Sequence, residues 1–172
     1  MVRRDGMVAP LIEPMLIARA AIAEQAKAMT DRLTQVAEQD PICRRLMTAP
    51  GVGPLTALEY RATIDDPARF ARSRTVGAHL GLTPRSFDSA EVRRHGRITC
   101  WGDASTRAAL FMAARSVLFR MTRPCTLRTW GLGVVASRGK NKGTIAVARR
   151  LAVILHRMWI EETDYRWEVL GG

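Results

Sequence analysis

Two glycines in the run Pro50-Gly51-Val52-Gly53-Pro54 sit between the apolar pair Leu46 and Met47 and a helix-like segment from Leu55 to Ala62. A short turn of this kind ahead of a helix leaves backbone N–H groups uncovered. The positive end of the helix dipole stands behind them, and such a nest binds anions. Gly51, Val52, Gly53 and, one turn on, Thr56 are therefore the first candidate contacts. Charge names the anion. The chain has 172 residues, 27 basic and 16 acidic, for a net charge of +11 and a pI near 11.1. All the basic residues but Lys27, Lys140 and Lys142 are Arg, whose planar fork grips phosphate oxygens in pairs. Residues 1–40 carry net −1 and residues 41–172 net +12, and between Asp103 and Glu161 lie 11 basic residues and no acidic one. So concentrated an excess repels itself unless a polyanion neutralises it. A nucleic-acid phosphate is the expected anion.

The remaining basic candidates fall in two places. Arg85, Arg93, Arg94 and Arg97 crowd a polar stretch, RSFDSAEVRRHGRITCWG, at 85–102. Lys140 and Lys142 lie in what reads as a basic, flexible loop, Arg138–Gly143, followed by Arg149 and Arg150 on the last helix. Other chemistries are poorly provided for. Cys43, Cys100 and Cys125 form no CxxC and are not spaced with His79, His95 or His156, so neither a disulfide framework nor a zinc site is expected. Each Cys reads as a small buried or half-buried residue. There is no signal-peptide pattern and no apolar run of transmembrane length, so a reducing cytoplasm is the expected compartment and no membrane partner is expected.

The elements that must position these residues are helical. Leu11, Met15, Ala18, Ile22, Ala26, Met29, Leu33 and Val36 recur with a mean step near 3.6, one stripe along a helix that starts near Pro14 and stops at Asp40-Pro41. Its length of roughly 25 residues is about 38 Å. Either it packs along the basic domain or it pairs with a second copy as a coiled coil. Helices are predicted over Ile42–Met47 and Leu55–Ile64. A short turn capped by Asp66 follows, then a helix from Arg74 to Leu80 capped by Ser73 and ended by Gly81. Within 85–102, His95-Gly96 between Val92 and Ile98 suggests a short irregular β-hairpin. Asp103 caps a helix from Ala104 to about Phe119. A weaker helix spans 126–137, loosened by Gly131 and Gly133, and a strong one Thr144–Trp159. Trp101, Trp130 and Trp159 read as core residues, with base stacking open to Trp101 alone. The fold class is mainly α: a long N-terminal helix, then a helical domain with one small β element.

Two resemblances add to this. The turn and its flanks resemble a helix-hairpin-helix, a motif that binds the DNA backbone. More broadly, PGVGPLTA, IDDPARF, GAHLGLTP, and a serine followed by GRIT-x-x-G-D occur in that order, and AVARRLAVILHRMW follows later. Over roughly residues 42–167 the chain resembles the C-terminal transposase domain of the IS-one-ten group of insertion sequences, the DEDD-type transposases guided by a bridge RNA. The resemblance implies DNA transposition by two catalytic parts. An N-terminal RuvC-like domain holds four carboxylates and divalent metal (Mg), a coiled-coil segment joins the parts, and the C-terminal domain supplies a serine that attacks the DNA phosphodiester. The matching position here is Ser89, followed by Ala90 where the family pattern has Gly.

On that resemblance residues 1–40 are the linker helix, 41–167 the transposase domain and 168–172 a tail. The expected partners are DNA, a guide RNA, and a second copy or a RuvC-like domain. No cofactor is expected in this chain. No strand-rich, carboxylate-rich region stands upstream of the linker helix, so the chain is expected to bind DNA without cutting it alone. The location implied is the bacterial cytoplasm, at the nucleoid. The alternative is a non-catalytic DNA- or RNA-binding module, acting as a regulator through mixed dimers. A weaker third reading, an RNA-binding helical protein, leaves the ordered motifs unexplained.

Overall fold

The computed structural model describes residues 9–89 and 92–167, with side chains at 9, 11 and 85–97 outside the description. The fold is mainly α. Helix α1 runs Ala9–Gln39, 31 residues or about 46 Å. Pro14, expected in the first turn, is its sixth residue. The N–H it lacks would have met the carbonyl of Pro10, a residue exposed to solvent at the helix start. The predicted stripe is largely uncovered: Met15, Ile22 and Met29 are each about two-thirds exposed or more. Among the described residues the last turns of α1 are where it meets the rest of the fold, with Ala37 buried against α2 (Pro41–Met47) and α3 (Pro54–Ile64).

Asp40 makes that junction. Its carboxylate accepts from the N–H groups of Ile42 (2.8 Å) and Cys43 (2.9 Å) at the start of α2 and pairs with Arg61 of α3 at 2.8 Å. One aspartate thus ends α1, caps α2 and ties both to α3.

Helix α7 (Lys140–Ile160) is the axis of the core, with α5 (Ala104–Phe119), α6 (Thr126–Arg138), α2 and the four-residue α4 (Val76–His79) packed on it. It buries Val147, Ala148, Leu151, Ala152, Leu155, Met158 and Trp159. Helix α3 lies on α5, where Thr63 and Thr106 share a 2.6 Å hydrogen bond. Tyr60 of α3 is fully buried and donates its hydroxyl to the Ala152 carbonyl at 2.7 Å. Replacing Tyr60 by Phe will cost about 1 kcal/mol, because that carbonyl keeps its helical partner. Thermal unfolding should show a midpoint lowered by about 2–4 °C.

Three local expectations are corrected. Arg138–Gly143 is not a flexible loop: α6 ends at Arg138, Gly139 alone turns the corner (φ 85°, ψ 163°), and α7 starts at Lys140. Gly143 is the reason, since it is buried where a Cβ would press into Val135, so α6 and α7 meet closely at their corner. Gly131 likewise does not loosen α6 but forms a notch that receives Val147 and Leu118. Ser73 caps no helix. It opens a single 3-10 turn (Ser73–Thr75) ahead of α4, and its hydroxyl bonds the buried ring of His156.

The polar stretch after Pro84 forms two antiparallel strands, β1 (Pro84–Ser89) and β2 (Val92–Ile98), with an irregularity between Pro84 and Ser86. Ser89 pairs with Val92 at the far end and Pro84 with Ile98 at the base. Thr99 N–H donates to the Thr83 carbonyl (2.9 Å) and Cys100 N–H to the Gly81 carbonyl (3.3 Å), fixing the base of the ribbon to the end of α4. Cys43 and Cys125 are buried as expected, but Cys100 is exposed, on a residue with φ of 56°.

Candidate nucleic-acid interface

The Pro50–Pro54 turn joins α2 to α3, which pack on each other. Gly51 has φ of 73°, and a Cβ there would lie 2.5 Å from the Ala113 carbonyl and 2.8 Å from Val117 Cγ2 of α5. Its glycine character therefore serves packing and a left-handed backbone together. Val52 is buried in the core, and its N–H donates to the Ala49 carbonyl. Gly53, with φ of −99°, caps α3 without a side-chain hydrogen bond, and nothing lies within 4 Å of where its Cβ would be. Of the four turn candidates, Gly53 and the half-buried Thr56 present open backbone at a helix N-terminus.

The structure places the backbone of Ser89 as the last residue of β1. The side chains of Ser89, Arg85, Arg93, Arg94, Arg97 and His95 lie outside the described residues, as do Ala90 and Glu91 altogether. Backbone bonds tie the ribbon to the body at its base, and Ser89 stands about 20 Å from Ile98 along β2.

Lys140, Lys142, Arg149 and Arg150 are all exposed on α7. The adjacent arginines diverge, as the roughly 100° step between neighbours on a helix requires. The stem of Arg149 crosses buried Gly77 of α4, while the Arg150 guanidinium lies 4.5 Å over the Trp130 ring of α6. Beside it, Thr129, Trp130, Gly133, Val134, Ser137, Arg138 and Ala146 line an open cleft of about 510 Å³. Trp130 is thus partly exposed and Trp101 is 75% exposed; Trp159 alone of the three is a core residue.

Arg120 and Arg123 were not singled out by the sequence. They are exposed and leave α5 just past Val117, against which Gly51 packs. Arg123 stacks 4.1 Å above Trp167. Trp167 meets Tyr165 edge-on, and the Tyr165 N–H donates to Thr48 Oγ1 at 2.9 Å, so the segment after α7 is stitched to the end of α2 just ahead of the turn. Burial and the neighbouring Cys125 push the Tyr165 hydroxyl up to about 12, keeping it neutral. The only sequence signal for this arrangement was a pair of aromatics beyond the last helix.

Cys43 and His156 are committed to the fold. Burial, then the charge of Asp40, pushes the Cys43 thiol up to about 11, so it is no thiolate at neutral pH. His156 is fully buried. Its Nε2–H donates to the Pro67 carbonyl at 3.0 Å, and its Nδ1 shares a 3.0 Å hydrogen bond with the Ser73 hydroxyl. The pair staples the 3-10 turns to α7. Among the described residues no group of three or more His, Cys, Asp or Glu could hold a metal ion. The divalent metal implied by the resemblance therefore has no donor set among them. Nor is any helix among the described residues long and apolar enough to cross a membrane.

An α-helical body with an arginine-rich surface, a two-glycine helix junction and a serine-bearing ribbon has clear relatives. The sequence model of the Transposase IS116/IS110/IS902 family matches residues 43–130. The chain is 31% identical over 137 residues to the transposase for insertion sequence element IS1111A of Coxiella burnetii, covering 79% of this chain and 38% of that protein. It is 29% identical over 170 residues to a Pseudomonas aeruginosa protein named "Probable family 20 transposase", covering 92% and 49%. With the transposase for insertion sequence element IS1328 of Yersinia enterocolitica it shares 28% over 144 residues, covering 83% and 42%. The chain belongs to the Transposase IS116/IS110/IS902 family. It spans less than half the length of these relatives.

Proposed function

We propose that this chain engages the DNA backbone in transposition and carries, at Ser89, the hydroxyl that attacks the phosphodiester. The observation behind this reading is uncompensated charge. Among the described residues, no carboxylate lies within 4.0 Å of Arg72, Arg74, Arg120, Arg138, Lys140, Lys142, Arg149 or Arg150; the ion pairs formed there engage Arg45, Arg61 and Arg157. Arginines that could have been neutralised internally are left for a partner. The open N-terminus of α3 at Gly53 and Thr56 adds a site for phosphate.

In this reading Gly51 and Val52 shape the turn and Gly53 and Thr56 touch the backbone. Arg85, Arg93, Arg94 and Arg97 hold the scissile phosphate around Ser89, while Lys140, Lys142, Arg149 and Arg150 extend the contact along α7. The carboxylate-held metal comes from a RuvC-like domain, and the uncovered stripe of α1 joins the chain to that domain or to a second copy. A guide RNA shares the basic surface, and the protein works at the bacterial nucleoid.

Titration of a labelled element-end duplex against rising salt tests the reading. With about six phosphates neutralised, affinity should fall roughly a thousandfold between about 50 and 200 mM salt, and the chain with Mg²⁺ alone should leave the DNA uncut. A flat salt response would remove the nucleic-acid role, and efficient cleavage would overturn the division of labour. Ala90, in place of the family's Gly, favours a second reading, a binding module in which Ser89 is idle.

A further inference from the structure

Among the described residues Trp101 is the most exposed large apolar side chain of the body that follows α1, at 75%, yet its backbone is tightly held. A Cβ on Gly81 would run into the Trp101 main chain, and one on Gly102 into the His79 carbonyl. The turn after β2 and the end of α4 therefore pack backbone to backbone. Arg107 of α5 locks the pair from below. Its Nη1 reaches the carbonyls of Leu80 (3.3 Å), Trp101 (3.4 Å) and Asp103 (3.5 Å). Asp103 is occupied in turn: N–H donation from Thr106 at 2.6 Å holds its carboxyl below the usual range.

Such rigidity around an indole three-quarters exposed is more than packing among the described residues requires. An exposed tryptophan costs hydration unless a partner covers it, and fixing its main chain removes part of the entropy a partner would otherwise have to overcome. The surroundings describe that partner. Arg149 lies across α4, whose C-terminal end carries the Trp101 turn, and Arg72 and Arg74 are exposed immediately before α4. None of the three has a carboxylate within 4.0 Å among the described residues. A flat aromatic face beside unpaired guanidinium groups suits a nucleobase whose phosphates run over the arginines. A base inside a duplex has both faces covered, so the base must be unpaired.

We propose that Trp101 is a stacking platform for an unpaired base of a DNA strand lying over α4. This rests on the nucleic-acid reading above and names the form of DNA it would need: a strand opened at a distance of about six β-residues from Ser89, since the platform stands at the base of the ribbon and the serine at its end.

Fluorescence anisotropy with labelled oligothymidylate, the matching duplex and oligouridylate, at one fixed salt concentration, tests it on the full chain. Trp101→Ala should weaken single-stranded DNA binding by roughly 5- to 100-fold. Duplex affinity and the melting curve should stay unchanged, and Trp101→Phe should recover most of the loss by restoring an aromatic face. Equal single-strand affinity for Trp101→Ala and the parent would overturn the proposal while leaving the basic surface in place. So would an equal loss on duplex, or a Trp101 dependence confined to RNA. If the parent chain binds none of the three at low salt, the nucleic-acid reading fails and this inference falls with it.

Discussion

Ser89→Ala will abolish strand transfer while leaving DNA affinity within error of the parent. A serine hydroxyl attacks phosphorus only when its proton is removed and the phosphate charge is offset. The chemistry is then all-or-none in that one oxygen. Removing a nucleophile drops turnover by roughly 10⁴-fold or more, whereas removing one of several arginine contacts costs far less. Ser89 ends β1, and an alanine keeps the strand backbone, so deleting its oxygen should not disturb folding. The measurement is strand transfer of element-end DNA with Mg²⁺ and guide RNA, the carboxylate-bearing domain being supplied in trans, alongside binding of the same DNA. Loss of transfer with intact binding supports the nucleophile. Unchanged transfer by Ser89→Ala would mean that another group attacks and that the chain is a binding module. Ser86 serves as the control: Ser86→Ala should transfer normally.

The parts of this fold legible in the sequence are those written locally. Asp66 and Asp103 read as N-caps because the acceptor and the N–H groups it serves are two or three residues apart, and both caps form. The stripe of α1 was legible for the same reason, and its exposure shows that a periodic apolar face reports a helix and not what covers it. What escaped was non-local. Ser73 has the composition of a cap, but its partner is His156, 83 residues away, and a bond across that distance leaves no periodic trace. Gly131 and Gly143 looked like breakers, because the side chains that need their missing Cβ, Val147 and Val135, come from the facing helix. The α6–α7 corner was therefore read as a loop. Trp101 was half legible: composition assigns tryptophan to the core, the sequence left stacking open to this one alone, and the packing of Gly81 and Gly102 against its neighbours shows that its main chain is held where the indole is exposed.

The turn offers a test in which two glycines, two residues apart, should respond oppositely. At Gly51 an alanine would have to adopt φ of 73°, which costs an L-residue roughly 1–2 kcal/mol. Its methyl would also meet a backbone carbonyl of α5 at 2.5 Å, and a carbonyl inside a helix cannot swing aside as a side-chain end can. Overpacking of that kind adds about 1–3 kcal/mol. Gly51→Ala should therefore lower the melting midpoint by roughly 5–15 °C, and any loss of DNA binding would follow from unfolding. At Gly53 φ is −99°, open to any residue, and the added methyl meets nothing within 4 Å. Gly53→Ala should melt with the parent. Yet the methyl would occupy the space through which a phosphate must come to reach the first N–H groups of α3, so affinity for duplex DNA should fall severalfold and the salt slope should shrink by about one phosphate. A Gly53→Ala chain that is as stable as the parent and binds duplex with the same affinity and slope would show that the turn is only a helix junction. The phosphate contacts would then belong to the basic side chains of the ribbon and of α7 alone.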